Sequence, residues 1–282
     1  MDVIGKLFIC PTPIGNLEDI TLRTLNTLKE VDLIAAEDTR HTIKLLNYFD
    51  IKKPLTSYHE HNKKEKGKFL IEKLLKGENI ALVSDAGMPG ISDPGEDLVR
   101  LSIEHGIGVT ALPGATASIL GLILSGLPTS KFTFEGFLSS NKKERKEELR
   151  KLEKEHRTII FYESPHRLKV LLQDIKEILG IRKIAISREL TKKYEEIFRG
   201  NTEEAIEKFS KEDPRGEFVV VLEGTSIEDI EKMKSEVWEN MSIKDHILMY
   251  MEQGINKKDA IKKVAKERNI SKSEVYKESI SI

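Results

Sequence analysis

The sequence predicts an α/β protein built as two α/β domains followed by a small helical tail, and three observations carry that reading. Short apolar runs bounded by turn residues alternate with helical patterns through the first half, which indicates βαβ units and a mainly parallel sheet. A Pro113-Gly114 break closes that set, and a second α/β set follows it. The last fifty residues or so contain no strand run.

The elements follow in order. Lys6–Cys10 reads as a buried strand, Pro11–Asn16 as a turn, and Thr21-Leu22-x-x-Leu25-x-x-Leu28 has helical spacing. Leu33–Ala36, Ile80–Ser84 and Gly108–Leu112 read as further strands, with amphipathic stretches at Thr42–Phe49, Lys63–Leu75 and Gly95–His105 between them. Ser139–Lys143 is polar and expected to be exposed. The second set comprises Thr158–Tyr162, Ile184–Ser187, a hairpin around Tyr194–Arg199 and Phe218–Glu223. The domain boundary falls between Leu112 and Ser130, giving domains at 1–115 and 116–225 and a tail at 226–282. In the tail, Ser226–Trp238 reads as a connecting helix, Ile243–Glu252 as a second, and Gly254 as a break. Lys257–Lys266 then sets Ala260, Ile261, Val264 and Ala265 on one face, and Ser273 is placed to cap a helix at Glu274–Ser279. From about residue 243 this has the shape of a helix-turn-helix, with a plain bundle or dimerisation tail as the alternative.

Composition narrows the function. The 282 residues carry a formal net charge of −1, so no global field draws the chain to nucleic acid or anionic membrane, and any such contact needs a local basic patch. A single cysteine, Cys10, excludes an internal disulfide and a thiolate-rich zinc or iron–sulfur site, which fits a reducing cytosol. The longest strongly apolar stretch, Ala117–Leu124, is far short of the roughly 20 residues a membrane helix needs. The opening MDVIGK does not read as a signal peptide, so a cytoplasmic protein is expected.

Three turns rich in glycine and proline fall where strands should end, the place where open α/β sheets bind ligands. They are Pro11–Leu17, Ser84–Gly95 and Leu112–Ser118. Small residues there let backbone groups approach a ligand. None is a GxGxxG fingerprint or a Walker loop, which argues against NAD and ATP. His59 and His61 form a His-x-His pair with no further His/Cys cluster, so no metal is expected.

The combination of Pro13-x-Gly15-x-Leu17-x-x-Ile20-Thr21-x-Arg23, the Asp85–Gly95 loop and Leu112-Pro113-Gly114 resembles the tetrapyrrole (corrin/porphyrin) methylase superfamily. Ala36-Glu37-Asp38-Thr39-Arg40, Tyr58-His59-Glu60-His61-Asn62, Phe161-Tyr162-Glu163-Ser164-Pro165-His166-Arg167 and Arg188-Glu189-Leu190-Thr191-Lys192 are similar to its RNA-methylating branch. One departure separates the chain from the corrin enzymes: their Gly-Asp-Pro at the second turn is Ser84-Asp85-Ala86 here. The resemblance covers nearly the whole chain. It implies a cleft between the two α/β domains that binds S-adenosyl-L-methionine, and 2′-O-methylation of a decoding-centre cytidine in 16S rRNA. The implied partner is 16S rRNA or the small ribosomal subunit, and the implied assembly is a homodimer. A corrinoid or porphyrin methylase and a non-enzymatic nucleic-acid-binding regulator are the competing readings.

By the same resemblance the methyl donor lies against Pro13, the second turn (Asp85, Ala86, Gly87, Met88, Ile91, Ser92) and the third (Pro113, Gly114, Thr116, Ala117). Phe161 and Tyr162 at a strand end, Leu190, and the Gly216-Glu217 approach to the last strand complete the pocket. Bulky residues at Gly87 or Gly114 are expected to abolish donor binding with the fold intact. A ribose hydroxyl is a weak nucleophile, so a positioned base or acceptor helps it. The candidates are Glu37, Asp38, His59, Glu163, His166 and Glu189, and each has an ordinary role as ion pair, cap or packing residue as its alternative. Asp38 and Arg40 flank Thr39, where a carboxylate and a guanidinium can reach the acceptor ribose and its phosphate together. Arg40, Arg167 and Arg188 suit phosphates unless they pair with neighbouring acids. From Lys63 to Lys76 there are six lysines against two glutamates, and Lys63, Lys64, Lys66 and Lys68 are read as an RNA-facing strip, with a solvated helix face as the alternative.

Overall fold

The computed structural model describes residues 4–226, 228–229 and 241–280. They form two compact units: residues up to Leu152 together with Arg157–Glu223, and Glu153–His156 together with residues from Gly224 onward.

The larger unit holds two five-stranded sheets. The first is built from β1 (Lys6–Ile9), α1 (Leu22–Glu30), β2 (Leu33–Ala36), α2 (Thr39–Tyr48), β3 (Leu55–Ser57), α3 (Lys63–Leu75), β4 (Ile80–Val83), α4 (Gly95–Glu104) and β5 (Gly108–Ala111). Its order is β3-β2-β4-β1-β5, with every pair parallel. Parallel strands are covered on both faces, so their sequences are continuous apolar runs. Leu7, Ile9, Leu33, Ala35, Ile80 and Leu82 pack toward one helical layer, and the alternate residues Cys10, Ile34, Ala36, Ala81 and Val83 toward the other. The chain leaves β1 in one direction across β4, and leaves β4 in the other direction across β1. Their carboxyl ends therefore mark the topological switch point, where open α/β sheets leave a crevice.

The second sheet follows α5 (Ala117–Ser125). It comprises β6 (Phe132–Gly136), α6 (Lys142–Lys151), β7 (Thr158–Glu163), α7 (Pro165–Leu179), β8 (Lys183–Arg188), β9 (Glu196–Asn201), α8 (Thr202–Lys211) and β10 (Phe218–Leu222), in the order β6-β7-β10-β8-β9. Its pairing differs from that of the first sheet, because only β6–β7 is parallel. The seven residues between Arg188 and Glu196 are too few for a crossover, so β8 and β9 must form the hairpin, and β10 returns antiparallel to both neighbours. Strands β3 and β6 carry no clear apolar run and are legible only in the structure.

The smaller unit contains α9 (Ile243–Glu252), α10 (Lys257–Glu267) and α11 (Lys272–Ser279). They enclose their own core of Ile247, Tyr250, Ala260, Ile261, Val264, Ala265 and Val275. The last helix begins earlier than expected: Ser271, not Ser273, is the N-cap, because Glu274 reaches back to close a capping box with it. Asn269, at φ 51°, makes the left-handed turn between α10 and α11. Most of the expected Ser226–Trp238 helix lies outside the described residues.

One buried ion pair fixes α6 to α7. Arg145 Nε lies 2.8 Å from Asp174 Oδ2, and both residues are buried. Removing one partner leaves an uncompensated buried charge, so Asp174→Ala should cost about 3–5 kcal/mol in denaturant melts. A paired Arg145→Met/Asp174→Leu replacement should recover most of that loss.

Candidate active site

At the switch point opens a cavity of about 420 Å³, within the roughly 300–1,000 Å³ of small-molecule sites. Turns from both sheets line it. From the first sheet come Ile14 after β1, Glu37 after β2, and Ser84–Met88 with Ile91–Asp93 after β4. Thr116 and Ala117 open α5, and Phe137, Tyr162–Pro165, Leu190 and Glu217–Val219 come from the second sheet.

Each wall is held by local chemistry. Thr12 and Gly87 exchange backbone hydrogen bonds of 2.9 and 3.1 Å, which ties the first turn to the second. The Asp93 carboxylate accepts from the N–H groups of Gly90 at 2.8 and 2.9 Å and of Gly95 at 2.7 Å, so the loop winds around one side chain. That winding requires a left-handed backbone at Gly90 and at Ser92, with φ of 87° and 63°. Across the cavity, the Ser118 N–H donates to Tyr162 Oη at 3.1 Å. Phe134 and Phe137 pack on the Tyr162 ring with centroids 4.9 and 5.6 Å away. Phe137 remains 54% exposed, an aromatic face at the cavity wall. The two sheets meet closely at Gly15, where a Cβ would overlap the Lys192 side chain and crowd the Leu190 carbonyl.

The cavity is acidic. Burial pushes the Glu37 carboxyl up, and the nearby Asp85 and Asp93 carboxylates push it further. Burial likewise raises Asp93, against the pull of its N–H donors. Glu163 is raised by burial too. Its Oε1 accepts from Ser164 N–H at 2.8 Å with Arg167 Nε 3.5 Å away, while Oε2 is buried without a partner. Perturbed carboxyls of this kind gather at functional sites.

The profile of the Tetrapyrrole (Corrin/Porphyrin) Methylases matches residues 6–206. The chain belongs to this family. It is 52% identical over 273 residues to the Bacillus subtilis protein named ribosomal RNA small subunit methyltransferase I, covering 97% of this chain and 93% of that one. A Thermotoga maritima protein of the same name is 53% identical over 221 residues, 78% of this chain and 99% of its own. Among solved structures, the methyltransferase CobJ superposes with a TM-score of 0.59 at 19% identity, over 78% of this chain and 95% of that one. Uroporphyrin-III-C-methyltransferase from Thermus thermophilus gives 0.55 at 18%, over 77% and 94%. At these identities the two structures establish the methylase fold alone.

Within the methylase cleft, Asp85, Ala86, Gly87, Met88, Ile91, Ser92, Thr116, Ala117, Tyr162, Leu190 and Glu217 line the cavity as expected from sequence. Five expected residues lie outside the lining. Ile14 faces the cavity in place of Pro13. Phe161 is fully buried in the opposite face of the sheet, because strand residues alternate, and Tyr162 and Glu163 line the cavity instead. Gly216 packs on the Glu189 carboxylate and Gly114 on the Pro11 ring, and neither they nor Pro113 line the cavity. A Cβ at Gly114 would overlap the Pro11 ring, so a bulky residue there disturbs the fold as well as the site. Gly87, at φ 81°, carries the same penalty.

The charged candidates separate more sharply. Asp38 is the N-cap of α2 and grips Arg40 through Nε at 3.1 Å and Nη2 at 2.7 Å, which holds its carboxyl well below the usual range. Glu37, not Asp38, faces the cavity. His59 hydrogen-bonds Asn62 and lies outside the lining, with Nδ1 buried and unpartnered. Lys63 pairs with Glu60 and Asp97 at 2.8 and 2.7 Å, and Lys66 lies over the Phe69 ring, which leaves Lys64 and Lys68 exposed on that strip. Arg167 donates to the carbonyls of Leu138 and Ser139, and Arg188 to that of Arg215, so both guanidiniums are held by their own chain. Asp93 and Phe137 are cavity residues that sequence reading did not single out. Asp93 had a signal in its Gly-Ile-Ser-Asp-Pro-Gly turn, whereas Phe137 follows a bulge between Phe134 and Gly136 that no periodicity marks. Among the described residues no cluster of three His, Cys, Asp or Glu is arranged to hold a metal ion, and no helix is long and apolar enough to cross a membrane.

The raised Glu37 sets a pH dependence. Between its ordinary value of 4.5 and its raised value, the folded protein holds a proton that the unfolded chain has lost, so stability falls as pH rises through that window. Glu37→Gln should therefore raise the melting temperature at neutral pH by the equivalent of about 0.5 kcal/mol, kept small by partial solvation. The gain should vanish below pH 4.5.

Proposed function

We propose that the chain transfers the methyl group of S-adenosylmethionine to the ribose 2′-hydroxyl of a decoding-centre cytidine in 16S rRNA. The observation that carries this reading is the 52% identity, over 97% of the chain, to a protein named ribosomal RNA small subunit methyltransferase I. A homodimer in the cytoplasm belongs to the same reading.

The cleft suits such a donor. Its carboxylates favour a ligand bearing sulfonium and ammonium charges, and the unpartnered Glu163 Oε2 is an acceptor awaiting a donor. Ile14, Met88, Leu190 and Val219 supply apolar walls. The amino ends of α5 and α7 face the same space and favour a carboxylate. When bound, S-adenosylmethionine supplies an activated methyl group, so the protein's task is alignment at about 3 Å and exclusion of water. Glu37, which lines the cavity and whose carboxyl burial raises above its ordinary value, accepts the hydrogen bond of the acceptor hydroxyl. Asp38 and Arg40 hold the turn that aims Glu37, because Asp38 N–H also donates to Asp85 Oδ1 at 3.0 Å. Lys64 and Lys68 draw the RNA backbone to the first sheet.

Radiolabelled methyl transfer to undermethylated small subunits, with corrinoids and free RNA as controls, tests the reading. Label in a corrinoid and none in the subunit would overturn it. In single-turnover measurements Glu37→Gln should slow transfer about 10²–10⁴-fold. Asp38→Asn should act mainly on stability. An equal loss of rate in both would return the catalytic role to the Asp38–Arg40 pair. Lys64→Glu/Lys68→Glu should weaken subunit binding and flatten its salt dependence without changing donor affinity. Unchanged binding at physiological salt would make the strip a solvated face.

A further inference from the structure

A second cavity, of about 490 Å³, lies beside the first and shares Pro165 with it. Its walls are Pro165, His166 and Lys169 from the first turns of α7, and Asp213, Arg215 and Gly216 from the loop before β10. Gly216 adjoins Glu217, which lines the cleft. Three exposed nitrogen bases thus converge on one hollow against a single carboxylate.

The neighbouring cations are engaged elsewhere. Arg167 is held by Leu138 and Ser139 carbonyls, Arg188 by the Arg215 carbonyl, and Lys192 by Glu189 and Glu217. The side chains of His166, Lys169 and Arg215 have no hydrogen-bond or ion-pair partner among the described residues. The fifteen-residue α7 adds the positive end of its dipole, and its N-cap Ser164 makes no side-chain capping bond.

The cleft next door presents Glu37, Asp85, Asp93, Glu163 and Glu217. Such a site repels a polyanion, so an acceptor joined to phosphodiesters needs cations at the rim to offset that field. We infer that the His166–Lys169–Arg215 hollow seats a backbone phosphate of the acceptor RNA, next to the nucleotide being methylated. This rests on the rRNA reading above, and it adds a site which the resemblance did not supply.

Two measurements on Lys169→Glu/Arg215→Glu test it. Both residues are exposed, so the melting temperature should hold. In methyl transfer to undermethylated subunits, the subunit KM should rise about tenfold, with the loss on KM rather than kcat and donor affinity unchanged. The slope of log affinity against log salt should fall by about 1, the counterion of one phosphate contact. Lys169→Arg/Arg215→Lys, which keeps both charges, should restore most of the affinity. In parallel, titration of a short labelled single-stranded RNA reads the hollow without methyl transfer. Should the wild-type protein bind this RNA yet transfer no methyl to subunits, the rRNA reading fails and the charge-reversed variant still decides the hollow. An unchanged KM and salt slope, or equal RNA binding by wild type and variant, would overturn the inference.

Discussion

The whole cleft depends on how closely two loops approach at Gly15. The turn after β1 and the loop after β8 pack with no room for a Cβ between them, and each presents one cavity residue, Ile14 on one side and Leu190 on the other. Both belong to one apolar cluster with Ile160, Val219 and Val221 of the second sheet. A larger residue at position 15 would push the walls apart, and the chemistry would lose its alignment before either sheet lost its fold. Left-handed residues at Glu189 and Thr191 show the backbone conforming to that approach from the other side.

Within the space so defined, the protein gathers carboxyls that electrostatics would rather keep apart. Burial raises Glu37, Asp93 and Glu163, and the apolar residues around them strengthen every interaction between the acids. They are tolerated because backbone N–H groups answer some of their oxygens: Gly90 and Gly95 those of Asp93, Ser164 one of Glu163, Asp38 one of Asp85. Glu163 Oε2 stays unanswered, buried without a hydrogen-bond partner.

The parallel sheet was legible because buried strands such as Ile80–Val83 are unbroken apolar runs, and its turns because only small residues suit those positions. The second sheet was less so. Its pairing directions follow from connection lengths and from where β10 inserts, neither of which periodicity records. At the cleft, motif reading named loops that line the cavity but not always the residue that faces it, as with Pro13 beside Ile14 and Phe161 beside Tyr162, since facing is set by strand phase and turn geometry. It placed Asp38 and Arg40 in the chemistry because both are charged and near a strand end. Their mutual grip, with Asp38 as the N-cap of α2, is visible only in three dimensions. Arg167 and Arg188 show the same limit: a sequence does not say which carbonyls lie within reach.

The place of β10 in the second sheet also governs how the chain comes into being. The first sheet is complete once Ala111 has been made, but β7 and β8 are joined only by Phe218–Leu222, some hundred residues later. Both strands exist once Arg188 has been made, so at about 5–20 residues per second the growing chain spends roughly 2–7 s with the two unpaired along one side until Leu222 follows. Open strand edges invite pairing with other chains, so this interval is when a nascent molecule is most exposed to aggregation. The cleft cannot exist until the interval closes, because Glu217–Val219 are part of its wall. The complete cleft therefore forms only after β10 is in place, and until then the first sheet rests on its own core.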